Sequence, residues 1–425
     1  MTASVHATEQ LLFSILVQLI IMIGAARLLN IVFRKLGQPG VIGEIVAGLL
    51  LGPSLFGHFF PELSVSLFGA KAAQPIVILS QIGLILLMFQ IGSEFEFGHL
   101  KTPKNRRAMV WVSLLSITVP FGLGFAIGQV TQPVLAPGIN TLVYSLFCGV
   151  ALAITAVPIL GRILREFGLT KDEMGVVAIS SAAVNDVVGW ILLAVISAYA
   201  ASQLSTAHLG IQLGGLAGLG LVLWFLLRPA VDWLMTRFPI VDGQIPPTLM
   251  AIVVALTFAL GITTYKLNIF AIFGGFAAGL LFHRHEDFVA AWRQQVGQFV
   301  LVFFLPIFFT FTGLRTNLLG LGLEDLGWLA LILAAAVLGK IVPVYFGARI
   351  AGFDHPRAMV LGTLMNTRAL MELIVLNIGY DMGFLPQKVF TMLVIMAVVT
   401  TVMTGPLLKW LLPMTGHVAP RQVEA

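Results

Sequence analysis

Asn185 and Asp186 lie side by side near the middle of the apolar run VVAISSAAVNDVVGWILLAVISAYA. A bare carboxylate at such a depth costs about 2.5–3.5 kcal/mol or more. It relieves that cost by taking up a proton, a cation or a basic partner, since each removes or compensates the charge. One carboxylate is neutralised by one proton or by one monovalent cation but not by both, so its chemistry is competition for a single seat. A seat made of one carboxylate and neutral oxygens suits a hard ion such as Na+ or K+. The run holds no histidine or cysteine for a transition metal. Three further groups of ionisable residues stand in apolar surroundings. Lys340 lies in LILAAAVLGKIVPVYFG, Asn366-Thr367-Arg368 in LGTLMNTRALMELIV, and Glu44 just after the GQPGVIG turn. Glu372 follows Arg368 by four residues, which places the two on one helix face within pairing range.

The elements that position these residues are membrane spans. With 425 residues, 58% of them hydrophobic and 10% charged, and a mean hydropathy of +0.99, too few polar side chains exist to cover a water-facing surface. The expected fold is all-α, a single transmembrane domain over 1–412 with a short cytoplasmic tail at 413–425. About thirteen stretches of spanning character occur, at 11–33, 40–57, 74–93, 107–130, 139–164, 173–199, 208–235, 245–265, 268–284, 296–314, 326–350, 357–380 and 387–412. The second and ninth are short and glycine-rich, so twelve is the competing count. Basic residues alternate in a way that orients the chain. One set of connections carries Arg34, Lys35, Lys101, Lys104, Arg106, Arg107, Arg162, Arg165, Lys171, Arg237, Arg284, Arg293, Arg349 and Arg357, with Lys409 and Arg421 at the end. The opposite set carries only Lys71, Lys266, Arg315 and Lys388. This places the N-terminus outside and the C-terminus in the cytoplasm, which requires an odd number of spans and favours thirteen.

Several function classes drop out. The leading MTASVHATEQ lacks the basic residues and cleavage pattern of a signal peptide, so the first span is read as its own anchor. The single Cys148 excludes a disulfide framework and a cysteine metal site and reads as a packing residue. The pI of 9.5 reflects loop charges facing anionic lipid rather than nucleic acid. HExxH, GxSxG with a histidine partner and aspartate-rich magnesium motifs are missing from the sequence, which argues against an intramembrane enzyme. No resident cofactor is expected, and regulation by a cytosolic ligand would call for a separate subunit.

Two spans are interrupted at their centres. In the fifth, ALAITAVPILGRIL, Pro158 lacks an amide hydrogen and frees carbonyls around Ile154 and Thr155. In the twelfth, Asn366 and Thr367 with Arg368 replace the expected leucines and valines. Irregular backbone at that depth is tolerated only inside protein or along a cavity. Interrupted helices at corresponding places of two halves point to a transporter's binding site. Taking spans 1–6 and 8–13 as halves, with the seventh as linker, puts both breaks at the fifth position and turns the halves opposite ways, as inverted repeats of six. Crossed half-helices would bring dipole ends of both signs to one spot. Lys340, Arg368 and Glu372 are the charges available to balance them.

Five stretches resemble the second superfamily of cation/proton antiporters, in the branch with bacterial sodium or potassium/proton antiporters and plant cation/proton exchangers. They are GQPGVIGEIVAGLLLGPS, ITAVPILGRIL, SAAVNDVVGW, the Lys340 segment and MNTRALMELIVLNIG. The resemblance implies a homodimer, a mobile six-helix core with crossed broken helices (here about 74–199 and 296–380, the rest being scaffold) and elevator-like alternating access. It implies that Asp186 binds cation and proton by turns. Asn185 matches a neighbour that is aspartate in charge-moving members and asparagine in electroneutral ones. Thr155 and Ala156 fall at the break that approaches the ion, and Ser181 opens the SAAVND motif. Lys340 matches a lysine that pairs with the first of two aspartates, a partner replaced here by Asn185, which leaves helix-dipole balance as its alternative role.

The expected function is thus a secondary antiporter exchanging Na+ or K+ for H+ in a bacterial inner membrane, one for one if Lys340 keeps its proton. A sodium-coupled organic-anion symporter of similar architecture is the alternative. Arg368 with Glu372 reads more naturally as an internal ion pair than as a ligand. Glu44 either lines an inner funnel or sits at the interface, and Glu94 and Glu96 are expected to be solvated. Gly214 with Gly218 and Gly275 with Gly279 have the spacing that permits close helix contact. The segment from His283-Arg284-His285 to Arg293 reads as a basic connection with a short interfacial helix.

Overall fold

A computed structural model describes residues 2–94, 102–201, 206–267 and 270–416. Glu96, Lys101, Arg421 and the end of the expected tail lie outside the described residues. Helices follow one another as α1 (Thr2–Lys35), α2 (Gly40–Leu51), α3 (Phe56–Phe59), α4 (Pro61–Phe68), α5 (Ala70–Ser93), α6 (Pro103–Leu135), α7 (Thr141–Ala153), α8 (Val157–Glu166), α9 (Glu173–Ala201) and α10 (Thr206–Val222). Then come α11 (Arg228–Arg237), α12 (Pro247–Lys266), α13 (Ala271–Phe282), α14 (Glu286–Trp292), α15 (Leu305–Arg315), α16 (Asp325–Ile350), α17 (His355–Met365), α18 (Leu370–Asp381) and α19 (Gln387–Leu411). Each of the thirteen expected stretches contains helix among the described residues. Among the described residues, eleven segments are long and apolar enough to cross a bilayer, while Thr141–Ala153 and Ala271–Phe282 are shorter apolar helices. The difference from thirteen has a plain cause: the fifth stretch is split into α7 and α8, and the ninth has only 12 helical residues.

Burial separates the spans by environment. In the most apolar part of His355–Asp381, 94% of the residues are buried, against 11% for Gly214–Arg237. The first is enclosed by protein; the second exposes Trp224, Phe225 and Trp233 and is suited to lipid.

The chain forms two compact units. One comprises the described residues of Met1–Ala25, Phe60–Glu96 and Ala194–Phe311. Its centre is aromatic, with the Phe89 ring 4.4 Å from Trp292 and 5.6 Å from Phe282. Glycine brings α13 against α5: a Cβ on Gly275 would overlap the Ile85 carbonyl, and one on Gly279 the Phe89 carbonyl. Gly214 and Gly218 have the same spacing, yet a Cβ on either would meet nothing within 4 Å, so of the two pairs only Gly275 with Gly279 makes a close helix contact. Glu94 is half-buried and paired with Arg293 at 2.9 Å, rather than simply solvated. The basic connection contains the short α14, four of whose residues are buried.

The other unit comprises the described residues of Ala26–Phe59, Phe97–Leu193 and Thr312–Ala425. Here α6 packs on α7 through Gly124 and Gly128, and α16 packs on α6 at Gly347. Thr102 and Asn140 cap α6 and α7 by accepting the backbone N–H of Asn105 and Val143. Ion pairs join helix ends, Lys104 with Glu173 at 3.1 Å and Lys388 with Asp325 at 2.9 Å. In this grouping α5 belongs to the first unit, and α19 to the second with both broken helices.

Gly279→Ala should therefore lower the melting temperature of the detergent-purified protein by about 2–6 °C, the effect of about 1–3 kcal/mol of overpacking. Gly214→Ala should leave it unchanged or raise it slightly, since alanine favours a helix by about 1 kcal/mol over glycine. Equal losses at both positions would contradict the packing described.

Candidate functional site

Both interrupted spans break where the sequence places polar or helix-disrupting residues, and the two breaks touch. Helix α7 stops at Ala153, Ile154 and Ala156 have extended backbone, and α8 starts at Val157. Pro158 occupies the first turn of α8, where a missing amide hydrogen leaves no helical bond unmade. Helix α17 stops at Met365 and α18 starts at Leu370. Between them Ala369 has φ +86°, a backbone state costly for any residue with a Cβ and held only by its surroundings. The Ala156 N–H donates to the Thr367 carbonyl at 3.1 Å. The Thr155 hydroxyl donates to the Met365 carbonyl at 3.0 Å. Backbone groups orphaned by one break are thus satisfied by the other.

Asp186, on α9, is 1% exposed, and neither carboxylate oxygen has a hydrogen-bond partner. The groups that compensate its charge are the Val157 N–H at the positive end of α8, which is directed toward the carboxylate, and the Lys340 ammonium, which acts through space. It borders a small crevice with Ile154, Trp190, Met371 and Val375. Its neighbour Asn185 is held on two sides, its amide nitrogen donating to the Ser116 hydroxyl at 2.9 Å and to the Thr155 hydroxyl at 3.4 Å. Ser181, one turn earlier on α9, is buried and its hydroxyl is unpaired.

Lys340 is fully buried on α16. Its ammonium donates to the Ser116 carbonyl at 2.8 Å and to the Ala153 carbonyl, the last residue of α7. Arg368, equally buried, donates through Nη1 to the Ala151 carbonyl at 2.9 Å and through Nη2 to the Ala336 carbonyl at 3.2 Å. Two cations therefore sit on the last turn of α7, at the negative end of its dipole. The Arg368–Glu372 pair is loose, 3.9 Å apart, and neither Glu372 oxygen accepts a hydrogen bond. In the same break the Asn366 amide reaches the Thr400 carbonyl at 3.5 Å, while the Asn366 side-chain oxygen and the Thr367 hydroxyl have no partner.

Asp186, Asn185, Thr155, Ala156, Lys340 and Arg368 are thus brought together around the crossed breaks. Glu44 belongs to a different cluster: it is 3% exposed and accepts a 2.6 Å bond from Asn30, and its other oxygen is unpaired. Ser116 joins Asn185 to Lys340, and sequence reasoning overlooked it. A signal was present. Pro120 stands four residues further along α6 and, having no N–H, leaves the Ser116 carbonyl without its helical donor.

Comparison with known proteins agrees with this architecture. Residues 19–413 match the family described as sodium/hydrogen exchanger, transmembrane. The Na(+)/H(+) antiporter NhaS4 of Synechocystis sp. is 35% identical over 96% of this chain and 99% of its own length. The K(+)/H(+) antiporter 1 of Saccharomyces cerevisiae is 30% identical over 91% of this chain, which spans 45% of that longer protein. In fold, the chain is similar to the sodium proton antiporter MjNhaP1 from Methanocaldococcus jannaschii, with a TM-score of 0.65 and 18% identity over 95% of this chain and 98% of that one. This all-helical, multi-pass membrane protein belongs to the transmembrane sodium/hydrogen exchanger family, a family of antiporters rather than enzymes.

Proposed function

We propose that the protein exchanges one Na+ or K+ for one H+, with Asp186 as the seat that both occupy in turn. The observation that supports this most strongly is the isolation of the Asp186 carboxylate, buried at 1% exposure beside a crevice with no hydrogen bond to either oxygen. A permanently ionised side chain in that position would be costly. A side chain that always holds a proton or a cation is not. Thr155 and Ala156 flank the seat, Asn185 and Ser181 stand beside it on α9, and the positive end of α8 favours the carboxylate form as the proton leaves.

Charge bookkeeping gives the stoichiometry. Lys340 and Arg368 are each hydrogen-bonded to two carbonyls, which favours their charged forms. With both fixed, the proton-loaded and cation-loaded seats have equal charge, and exchange is electroneutral. The same bonds argue against an organic-anion symporter, because the guanidinium that would receive a carboxylate substrate already serves Ala151 and Ala336.

The reading includes elevator-like alternating access, in which the crossed breaks and Asp186 move together and the seat opens to each side in turn. It also includes inverted repeats of six helices, a homodimer, a location in a bacterial inner membrane with the N-terminus outside, and any cytosolic regulation through a separate subunit. Glu44 would then line the inner approach to the seat.

In acid-loaded proteoliposomes with an internal pH dye, adding Na+ or K+ should release protons, and Asp186→Asn should reduce release to the level of empty vesicles. Release unaffected by that change would reject the assigned seat. Competition fixes the sign of the pH effect: on the acid side the half-saturating cation concentration should rise about tenfold for each unit of falling pH, at constant maximal rate. A half-saturating concentration indifferent to pH would mean separate sites. Imposed membrane potential should leave the rate unchanged, and a clear voltage dependence would rule out one-for-one exchange.

A further inference from the structure

Lys340 has no carboxylate within ion-pairing distance among the described residues, yet it is fully buried. Its ammonium is met instead by two backbone carbonyls, those of Ser116 and Ala153. Each is available for a definite reason. Ala153 ends α7 at the break, so its carbonyl has no helical donor. Ser116 lies within α6, where its carbonyl would normally accept the N–H of residue 120. That residue is Pro120, which has no N–H and whose ring pushes the carbonyl one turn back away from the helix axis. The hydroxyl of Ser116 meanwhile accepts from the Asn185 amide at 2.9 Å, and the same amide donates to Thr155. Lys340, Ser116, Asn185, Thr155 and the end of α7 thus form a closed polar ring.

We propose that Pro120 and Ser116 build a seat on α6 that keeps Lys340 a permanent cation, and that through it they act as positioning residues for exchange at Asp186. The inference rests on the exchanger reading above. The charged groups acting on Lys340 are Arg368, Glu372 and Asp186. Burial works against its charge, Arg368 repels it and neither carboxylate is bonded to it, so the two carbonyls are what must hold the ammonium. A Lys340 that gave up its proton when the seat takes a cation and regained it when the seat takes a proton would make the two loaded states differ in total charge, and exchange would acquire a voltage dependence at alkaline pH. The hydroxyl of Ser116 has the separate task of orienting Asn185, and hence Thr155, beside the cation.

The two tasks are separable by mutation. Pro120→Ala restores an N–H that shares the Ser116 carbonyl and straightens the helix, loosening the hold on Lys340. In proteoliposomes its alkaline limb should move to lower pH by about half a unit or more, equivalent to about a threefold change in proton balance, and the rate at high pH should become sensitive to imposed potential. Ser116→Ala keeps the carbonyl and loses the hydroxyl. It should keep the wild-type pH profile while raising the half-saturating cation concentration by about 3- to 10-fold, with the maximal rate within about twofold. Adding Ser116→Ala to Asn185→Ala should have little further effect, since the first acts through the second. Pro133→Ala, an exposed proline of the same helix, controls for the general effect of removing a helix proline and should match wild type. Pro120→Gly restores the same N–H and serves if Pro120→Ala is not recovered as folded protein. A Pro120 variant with the wild-type profile and no voltage dependence would overturn the seat, as would Pro133→Ala shifting the profile equally. Those results, obtained with wild-type exchange present and abolished by Asp186→Asn, would leave the exchanger reading standing. Absence of wild-type exchange would overturn both.

Discussion

A carboxylate enclosed by protein with no hydrogen bond to either oxygen is the constraint around which the second unit is organised. Asp186 is not stabilised by its immediate surroundings in the way buried acids usually are. Leaving a buried charge uncompensated is among the most destabilising things a fold can do, and direct pairing with a lysine would remove the cost together with the function. The structure takes a third course. It places positive potential near the carboxylate, from the start of α8 and from Lys340 at longer range, and commits the nearby cations to other acceptors. On the proposed reading, a seat built this way is tolerable when empty for a moment and favourable when loaded.

The acceptors that hold those cations are backbone carbonyls, and they exist because helices are broken. An unbroken span hides its carbonyls in its own hydrogen bonds. Ending α7 in mid-span exposes those of Ala151 and Ala153, and Arg368 and Lys340 occupy them. The break in the twelfth stretch supplies Arg368 itself, and its exposed Met365 and Thr367 carbonyls accept from Thr155 and Ala156. Each break thus satisfies the other, at the cost of a strained backbone at Ala369. Removing either would strand several polar groups in a region with no water to satisfy them.

Much of this arrangement was legible in the residues. Apolar stretches located every helical span, because burial in lipid demands length and hydropathy before anything else. Polar residues at mid-span located both breaks and the acid, because such residues are too costly there to be incidental. What stayed hidden depended on acceptors common to all residues. Nothing in the side chains of Ala151, Ala153 or Ala336 marks them as ligands for a guanidinium or an ammonium. The grouping of α19 with the broken helices is a matter of three-dimensional neighbours that hydropathy does not encode. The two glycine pairs make the same point: Gly275 with Gly279 and Gly214 with Gly218 read alike, and only the former faces another helix.

The identity of residue 185 follows from the same accounting of donors and acceptors. Thr155 has one hydroxyl proton, and it goes to the Met365 carbonyl that the second break leaves free. Toward residue 185 the Thr155 oxygen can therefore only accept, so residue 185 must donate. Asparagine does so through its amide nitrogen, which reaches Thr155 and Ser116 together. An ionised aspartate, an acceptor only, would have to draw the threonine proton away from Met365 or recruit Lys340 from the end of α7. On this view the asparagine is more than a neutral substitute for an acid: it is the donor that lets the two breaks hold together while Lys340 remains on the α7 carbonyl, and this leaves Asp186 as the only carboxylate of the Asn185-Asp186 pair.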